Sequence, residues 1–520
     1  MKLKRITALL TAATVAGTMM MTGCSSQKAD GAAQKEERAT QQTGETAKKS
    51  EEPAKGKEDI YTVKIVLAGN GTTEGLKKVS DQMSEISREA CGVNVEVQRI
   101  NLGTYLQSLN LNFASGEKMD LFCTESLSLP GLVNNNQILP LDDLLSEYGK
   151  ETLEALRPDV WACTSVKGKI YGVTRNRNAN ATGLGFWGDK AIAEELGIDY
   201  ENIHGFDELE EALEKVHEAY PDMYPLATNA GKLRIPVPSD GLGETLPSVA
   251  GLEDAFTDNT EVVNLFATDT YKEYVTTMYR WAQSGLIMPD GSTNTESDIS
   301  LVKAGKAFGG FNTVKPNALE EREILIGREL FDVELVAPLA ITTANASAWC
   351  IPSHSENPGK AMQVLNLLET DEAFANLFLN GVEGEHYVFT DKEKKIIDYP
   401  AGIDGGSTSY PSQAATGPNR RLSYTWGNAP IPDWDAIDRY DEDARLSPGR
   451  GFTWDNSDYL NEVSACANVM SKYSSALECG SLNPEEALPQ FLGELEAAGV
   501  DKIIASKQEQ LDQWLSQYQK

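Results

Sequence analysis

The chain is 520 residues long and carries 46 Lys and Arg against 78 Asp and Glu, a formal net charge of −32. A surface this acidic repels polyanions, which argues against nucleic acid and anionic lipid as partners. With 41% hydrophobic residues, 8 Trp, 18 Tyr and 14 Phe, the chain can bury a sizeable core, but it is too long for a single one, so two lobes or more are expected.

Lys2, Lys4 and Arg5 open a cationic leader, and an apolar run from Ile6 to Met21 follows. That run is too short and too broken by Thr and Gly to span a membrane comfortably. It ends at Met21-Thr22-Gly23-Cys24, which resembles a bacterial lipobox with Met for the usual Leu and Thr for Ser or Ala. The resemblance implies a lipoprotein signal peptide over 1–23 and lipid attachment at Cys24. Two acyl chains there hold a protein stably on a membrane where one is marginal. An ordinary secretory signal with a chance cysteine is the rival reading. From Ser25 to Asp59 there is no aromatic residue, so 24–59 reads as a disordered linker, spanning about 30 Å root-mean-square.

The body starts as alternating strands and helices. Tyr61, Val63, Ile65 and Leu67 form a strand ending at Gly69-Asn70-Gly71. Leu76, Val79, Met83, Ile86 and Ala90 recur at helical steps until Gly92. Val93, Val95 and Val97 alternate again; Tyr105, Leu106, Leu109 and Phe113 suggest a helix, and Met119 to Cys123 a buried strand. This order favours a parallel sheet covered by helices. Ligands then belong beyond the carboxyl ends, at Gly69-Asn70-Gly71 and Thr124-Glu125-Ser126. Further on, Asp207-Glu208-Leu209-Glu210 reads as a capping box for a helix that Pro221 closes. Asn483-Pro484-Glu485-Glu486 opens another helix, and Val500, Ile503, Ile504, Leu511, Trp514, Leu515 and Tyr518 share one face of a last one.

Several motifs carry less than they suggest. The seven cysteines show neither CxxC nor zinc spacing; Cys91, Cys123 and Cys350 lie in apolar runs and read as buried thiols, while disulfides in an exported chain stay open. Gly183-Leu184-Gly185-Phe186-Trp187-Gly188 fits G-x-G-x-x-G, but Phe and Trp occupy positions that must stay small beside a pyrophosphate. His217-Glu218 lacks the second His of a zincin. Asp433-Trp434-Asp435 to Asp443 lacks the glycine and final Glu of an EF-hand and reads as a solvated loop. No cofactor or metal is called for.

Ser115-Gly116-Glu117-Lys118-Met119-Asp120-Leu121 and Ile138-Leu139-Pro140-Leu141-Asp142-Asp143-Leu144 resemble the N-terminal lobe of extracellular solute-binding proteins of ABC importers (family 1). Lys167 to Val173, Gly188-Asp189-Lys190, Glu195 to Ile198 and Asp207 to Ala212 continue the likeness. Trp349 to Ser353, Asn357 to Met362, Gly381 to Tyr387, Ile397 to Pro400, Gly451 to Asp455 and Ala497 to Lys502 resemble the C-terminal domain of LipO-like lipoproteins of Gram-positive bacteria.

The resemblance implies an α/β fold of the two-lobe, periplasmic-binding-protein-like kind (type II), with lobes joined by chain crossovers at a hinge. By analogy the crossovers fall near Val173-Thr174, Lys306-Ala307-Phe308 and Ala348-Trp349-Cys350. The N-terminal lobe is then 60–173 plus 306–348, and the C-terminal lobe 174–305 plus 349–520. The resemblance further implies a monomer that hands its solute to the transmembrane subunits of an ABC permease.

Sugars offer C–H faces to aromatic rings and hydroxyls to carboxylates, amides and guanidinium groups. Trp187 after the first expected crossover, Trp349 at the third and Trp426 in the polar Tyr424-Thr425-Trp426-Gly427-Asn428 stretch fit this mixture, with Asn70, Glu125, Arg175, Asn178, Asn312, Glu383 and His386 as polar candidates. An oligosaccharide is the expected ligand. A peptide or other polar solute, or a secreted glycoside hydrolase using paired carboxylates, is the alternative.

Overall fold

Apolar alternation and glycine stops organise the first stretch as expected. The computed structural model describes residues 60–518 apart from 126, 176–179, 245–247, 343–346, 414–416 and 428. The leader, Cys24, the linker and Asn178 lie outside the described residues. Strand β1 (Thr62–Ala68), helix α1 (Thr73–Cys91), β2 (Asn94–Ile100), α2 (Leu102–Ser115) and β3 (Leu121–Cys123) follow in turn. Gly92 ends α1 at φ 70°, a left-handed cap conformation that costs glycine little. Strands β1, β2 and β3 are parallel.

The chain continues through helix α3 (Pro158–Cys163) and strands β4 (Val173–Thr174) and β5 (Thr182–Asp189) to α4 (Phe206–Ala219) and β6 (Tyr224–Ala227). After these come α5 (Asp298–Lys303), β7 (Ala307–Val314), α6 (Ala318–Ile326), β8 (Leu330–Ala340) and β9 (Ala348–Cys350). Helices α7 (Pro358–Thr370) and α8 (Glu372–Asn380) precede β10 (Val388–Asp391), β11 (Ile396–Asp398) and β12 (Thr425–Trp426). Helix α9 (Trp434–Asp443), β13 (Arg445–Leu446), α10 (Leu460–Glu478), α11 (Pro484–Ala498) and α12 (Val500–Tyr518) close it.

Two five-stranded sheets result, ordered β2-β1-β3-β9-β4 and β13-β8-β5-β7-β6. The lobe boundaries differ from those expected. Strands β7 and β8 do not join the first sheet; they flank β5 in the second. The reason is their aromatic lining: Phe308, Phe311 and Phe331 pack on Phe186 at centroid distances of 5.9, 6.2 and 6.1 Å. Conversely β9, α7 and α8 belong to the first lobe, where Trp349, Leu365, Phe374 and Phe378 share a core with Val63 and Ile65. The first lobe is therefore 60–174 plus 348–426, and the second 182–340 plus 434–518. Crossovers run through 175–181, 341–347 and 427–433. The expected crossover at 306–308 is a strand start inside the second lobe, and that at 348–350 follows the second crossover rather than marking a third.

Two local expectations also change. Helix α4 starts one residue before Asp207 with Gly205 as its cap residue and no side-chain cap bond, so the Asp207–Glu210 box does not form. The acidic stretch after Asp433 is helix α9 rather than a loop, with Asp433 Oδ1 accepting from Ala436 N at 2.9 Å. Asn483 and Pro484 do open α11 as expected. The six cysteines of the described region are free thiols.

Glu369, at the end of α7, is buried, and its Oε1 has no hydrogen-bond partner among the described residues. Burial pushes its carboxyl up to about 8. The folded state thus holds a proton that the unfolded chain releases, and stability falls as pH rises between about 4.5 and 8. Glu369→Gln is expected to flatten that decline, by no more than about 1.4 kcal/mol per pH unit. Thermal unfolding of both proteins at pH 5 and pH 9 checks this; parallel declines refute it.

Candidate solute-binding cleft

The first two crossovers, 175–181 and 341–347, leave and enter the sheets at facing ends. Strand β4 ends beside Arg175 and β9 begins after Ser347, with Arg175 N donating to Ser347 O at 3.4 Å. Thr124 N donates to Ala348 O at 2.9 Å, which brings the carboxyl end of β3 to the same edge. Because β1 and β2 run parallel to β3, Gly69, Asn70 and Asn101 lie there too. On the second lobe the corresponding edge holds Gly183 opposite Val314, and Leu339 opposite Thr182.

Glu125 is the most unusual residue on the first edge. Its φ of 42° is left-handed, which costs a non-glycine residue on the order of 1–3 kcal/mol and recurs at ligand sites. Its side chain is 15% exposed and Oε1 stands 3.8 Å from Arg175 Nη1, itself 7% exposed. Oε1 has no hydrogen-bond partner among the described residues, while Oε2 accepts from Ser347 Oγ at 3.5 Å. Burial, then the Glu125 charge, pushes the Cys123 thiol up to about 12, so a neutral S–H lies behind the carboxylate. Asn70 is exposed, and its Oδ1 accepts from Asn101 Nδ2 at 3.3 Å.

The second edge is equally polar. Register puts Asn312, Gly185 and Glu334 in one row across the sheet, and Gly310, Trp187 and Asp332 in the next. Residues opposite one another in antiparallel strands share a face. Burial raises the pKa of Asp332, against the charge of Arg322, and burial with Asp332 raises that of Glu334. Arg322 is buried and donates to Thr313 O at 2.5 Å. Burial lowers the pKa of the first lobe's Arg420; Glu321 of the second lobe opposes this and Arg175 adds to it. Arg420 thus lies within electrostatic reach of Arg175 on the first edge and of Glu321 on α6.

The expected residues divide. Asn70, Glu125 and Arg175 share the first edge, and Asn312 stands on the second. Trp349 is fully buried and meets Phe378 edge-on at 5.7 Å. Trp187 is 1% exposed among Ala227, Leu301, Val302 and Leu330, with the Arg322 guanidinium 5.8 Å from its ring. Neither indole has a face for a sugar, because α7 and α8 cover one and α5 and α6 the other. His386 is 1% exposed; its Nδ1 accepts from Val382 N at 2.9 Å, so Nε2 donates to Ser409 Oγ at 2.9 Å. It staples the 381–387 turn to the Ser409 loop rather than facing the cleft. Glu383 is exposed and pairs with Lys392 at 3.7 Å on the surface. Trp426 is partly buried, with Nε1 donating to Asn380 Oδ1 at 2.7 Å and its ring centroid 4.6 Å from that of Tyr399.

Sequence reading missed Arg420, Glu321 and Glu334. Only Glu334 left a signal: two carboxylates two residues apart in a strand otherwise built of Phe331, Val333, Leu335 and Val336. Among the described residues no cluster of His, Cys, Asp and Glu is placed to hold a metal ion, and no helix is long and apolar enough to cross a membrane.

A family model described as bacterial extracellular solute-binding protein matches residues 82–381. The chain belongs to that family. A second model, a domain of unknown function (DUF3502), matches residues 448–516 of this solute-binding protein. A protein of Streptococcus pneumoniae serotype 4 named carbohydrate ABC transporter substrate-binding protein is 26% identical over 469 residues, covering 88% of this chain and 91% of its own. The N-glycan transport solute-binding protein (NgtS) of the same species matches with a TM-score of 0.74 at 22% identity, over 88% of this chain and 99% of that one. Its complex with Man5GlcNAc gives a TM-score of 0.63, at 22% identity and the same coverage. These likenesses establish the two-lobe α/β fold.

Proposed function

We propose that this solute-binding protein captures an oligosaccharide between its lobes and delivers it to an ABC permease, held on the outer face of the membrane through Cys24. Glu125 carries the reading: a strained, largely buried carboxylate with an unsatisfied oxygen, beside Arg175 and opposite the polar edge of the second lobe. Carboxylate and guanidinium together accept from and donate to sugar hydroxyls, and hinge closure adds the Asn312 and Glu334 contacts only when a ligand bridges the lobes. The names of the pneumococcal relatives support a carbohydrate over a peptide. Titration calorimetry with Man5GlcNAc, Man1GlcNAc, kestose and a mixed tetrapeptide tests the proposal. Saturable heat with a glycan recovered intact supports it; a cleaved glycan would make the protein a hydrolase, and heat from the peptide alone would replace the ligand class.

Trp426 and Tyr399 form a partly exposed aromatic pair beside the third crossover. Ser412 Oγ donates to the same Asn380 Oδ1 at 3.0 Å, and the neighbouring Gln413 lies against Gly69 at the end of β1. The pair thus stands at the rim of the first edge, where the outer residues of a long glycan would pass. Trp426→Ala is expected to weaken Man5GlcNAc by about 1–2 kcal/mol and a disaccharide by much less. Equal losses for both would remove the rim from the site.

A further inference from the structure

The segment 440–451 holds the second-lobe ends of the first two crossovers. Asp441 is buried and accepts from Asn180 N at 2.8 and 3.0 Å, Asn180 Nδ2 at 3.0 Å and Ala181 N at 2.9 Å, where the first crossover enters the second lobe. Tyr440 OH accepts from Gly183 N at 2.7 Å and donates to Val314 O at 2.6 Å. At the start of the second crossover, Ser447 N donates to Ala340 O at 3.0 Å and Arg450 Nη1 to Ile341 O at 2.8 Å. Thr342 Oγ1 donates to Gly449 O at 3.0 Å and accepts from Gly451 N at 2.8 Å.

The same segment reaches the other lobe. Arg450 is buried, and its Nε donates to Asp159 Oδ2 of α3 at 2.7 Å. Asp159 also accepts from Arg157 Nε at 2.9 Å and Nη2 at 3.1 Å. Next to it Gly451 has φ 96°, and a Cβ there would stand 2.8 Å from Ala162 Cβ of α3 and 3.2 Å from Trp514 of α12. The two lobes therefore approach here more closely than a side chain at 451 would allow. The segment is fixed behind by Ser447 Oγ donating to buried Asp240 at 2.5 Å. The loop that follows Asp240 is in turn gripped by fully buried Lys507 of α12, which donates to Gly241 O at 3.2 Å, Glu244 Oε2 at 2.6 Å and Ala250 O at 2.7 Å.

We infer that the segment 440–451, which leads through Arg450 into the C-terminal domain of unknown function, is the hinge clasp of this protein. It ties the first two crossovers and helix α3 into one corner that stays assembled while the cleft opens opposite. Arg450 is a positioning residue: by holding Ile341 against Asp159 of α3 it sets where Ser347, at the far end of the second crossover, and Arg175, bonded to Ser347 O, meet the solute. A buried charge pair with a backbone acceptor suits a pivot, because rotation by a few degrees keeps all its bonds while separation breaks them together. The inference rests on the proposed hinge closure around a solute, but not on which solute it is.

The test uses the full chain with labels at exposed Asn110 of the first lobe and Leu325 of the second, read as a distance distribution. Arg450→Met is expected to broaden the distribution without ligand by about twofold or more, a loss of one preferred lobe arrangement. It should also speed glycan release about tenfold while association changes little. Arg450→Lys, which keeps the charge beside Asp159 but not both bonds, should fall between. If Arg450→Met lowers the melting temperature and leaves distribution and release rate unchanged, the pair is only structural and the clasp is refuted. Should that variant not fold, Asp159→Asn retains the Ile341 bond and removes the charge that Arg450 shares with Arg157, so Arg157→Met, which cuts only the pairing inside the first lobe, is its control; a distribution unchanged by Asp159→Asn refutes the clasp equally. A protein that binds no glycan sinks the functional reading but leaves the unliganded distributions to decide the clasp.

Discussion

Trp349→Ala is expected to destabilise the protein by about 3–5 kcal/mol, the range for emptying a fully buried Trp site. Trp349 sits on the central-to-edge strand β9, paired with Cys123 on one side and Val173 on the other. Its ring packs into the core formed with Ile351, Leu365 and Phe378. Truncation leaves a cavity that β9 cannot collapse, since both its neighbours hold it in register. Glycan affinity of the folded fraction should change little, because the ring lies behind the cleft edge rather than on it. Denaturant unfolding and calorimetry on the same preparation check both halves. Intact stability with lost affinity would return Trp349 to the binding surface.

The second large effect concerns Glu125. Glu125→Gln is expected to weaken the bound glycan about 10- to 100-fold, matching about 1.5–3 kcal/mol for a hydrogen bond to a charged group. Arg175→Met should lose at least as much, since it also strands Glu125 without its counter-ion. The melting temperature of Glu125→Gln should fall less than that of Arg175→Met, because the amide keeps an oxygen for Ser347 Oγ and Oε1 has no hydrogen-bond partner among the described residues to lose. A glutamine variant that binds as tightly as the parent would show that the strained backbone at 125 serves the fold of the crossover alone.

The carboxyl-end rule placed Glu125 and Asn70 correctly on the first edge, since periodicity reveals where a parallel strand stops and its stop is where the ligand edge begins. Arg175 was legible for the same reason, as the residue leaving a strand at a crossover. Burial was not legible. Trp187 and Trp349 each lie near a crossover in sequence, but one strand residue further on faces the opposite side of a sheet, and helices from remote segments cover that side. His386 carries the same lesson in its hydrogen bonds, both ring nitrogens being used by Val382 and Ser409.

Taken alone, the sequence determined the β-α-β-α-β start, the stops at Gly69 and Gly92, the helix opened by Asn483-Pro484 and the family, because these depend on local periodicity, capping chemistry and ordered motifs. Which lobe owns residues 306–340 and 349–426 was decided only by tertiary packing. Apolar strands of similar composition fit either sheet, and the choice was made by Phe186 meeting Phe308, Phe311 and Phe331, and by Trp349 meeting Phe378. The pairing of Arg450 with Asp159 across 291 positions of chain belongs to the same class: no local pattern encodes a contact whose partners meet only after both lobes have folded.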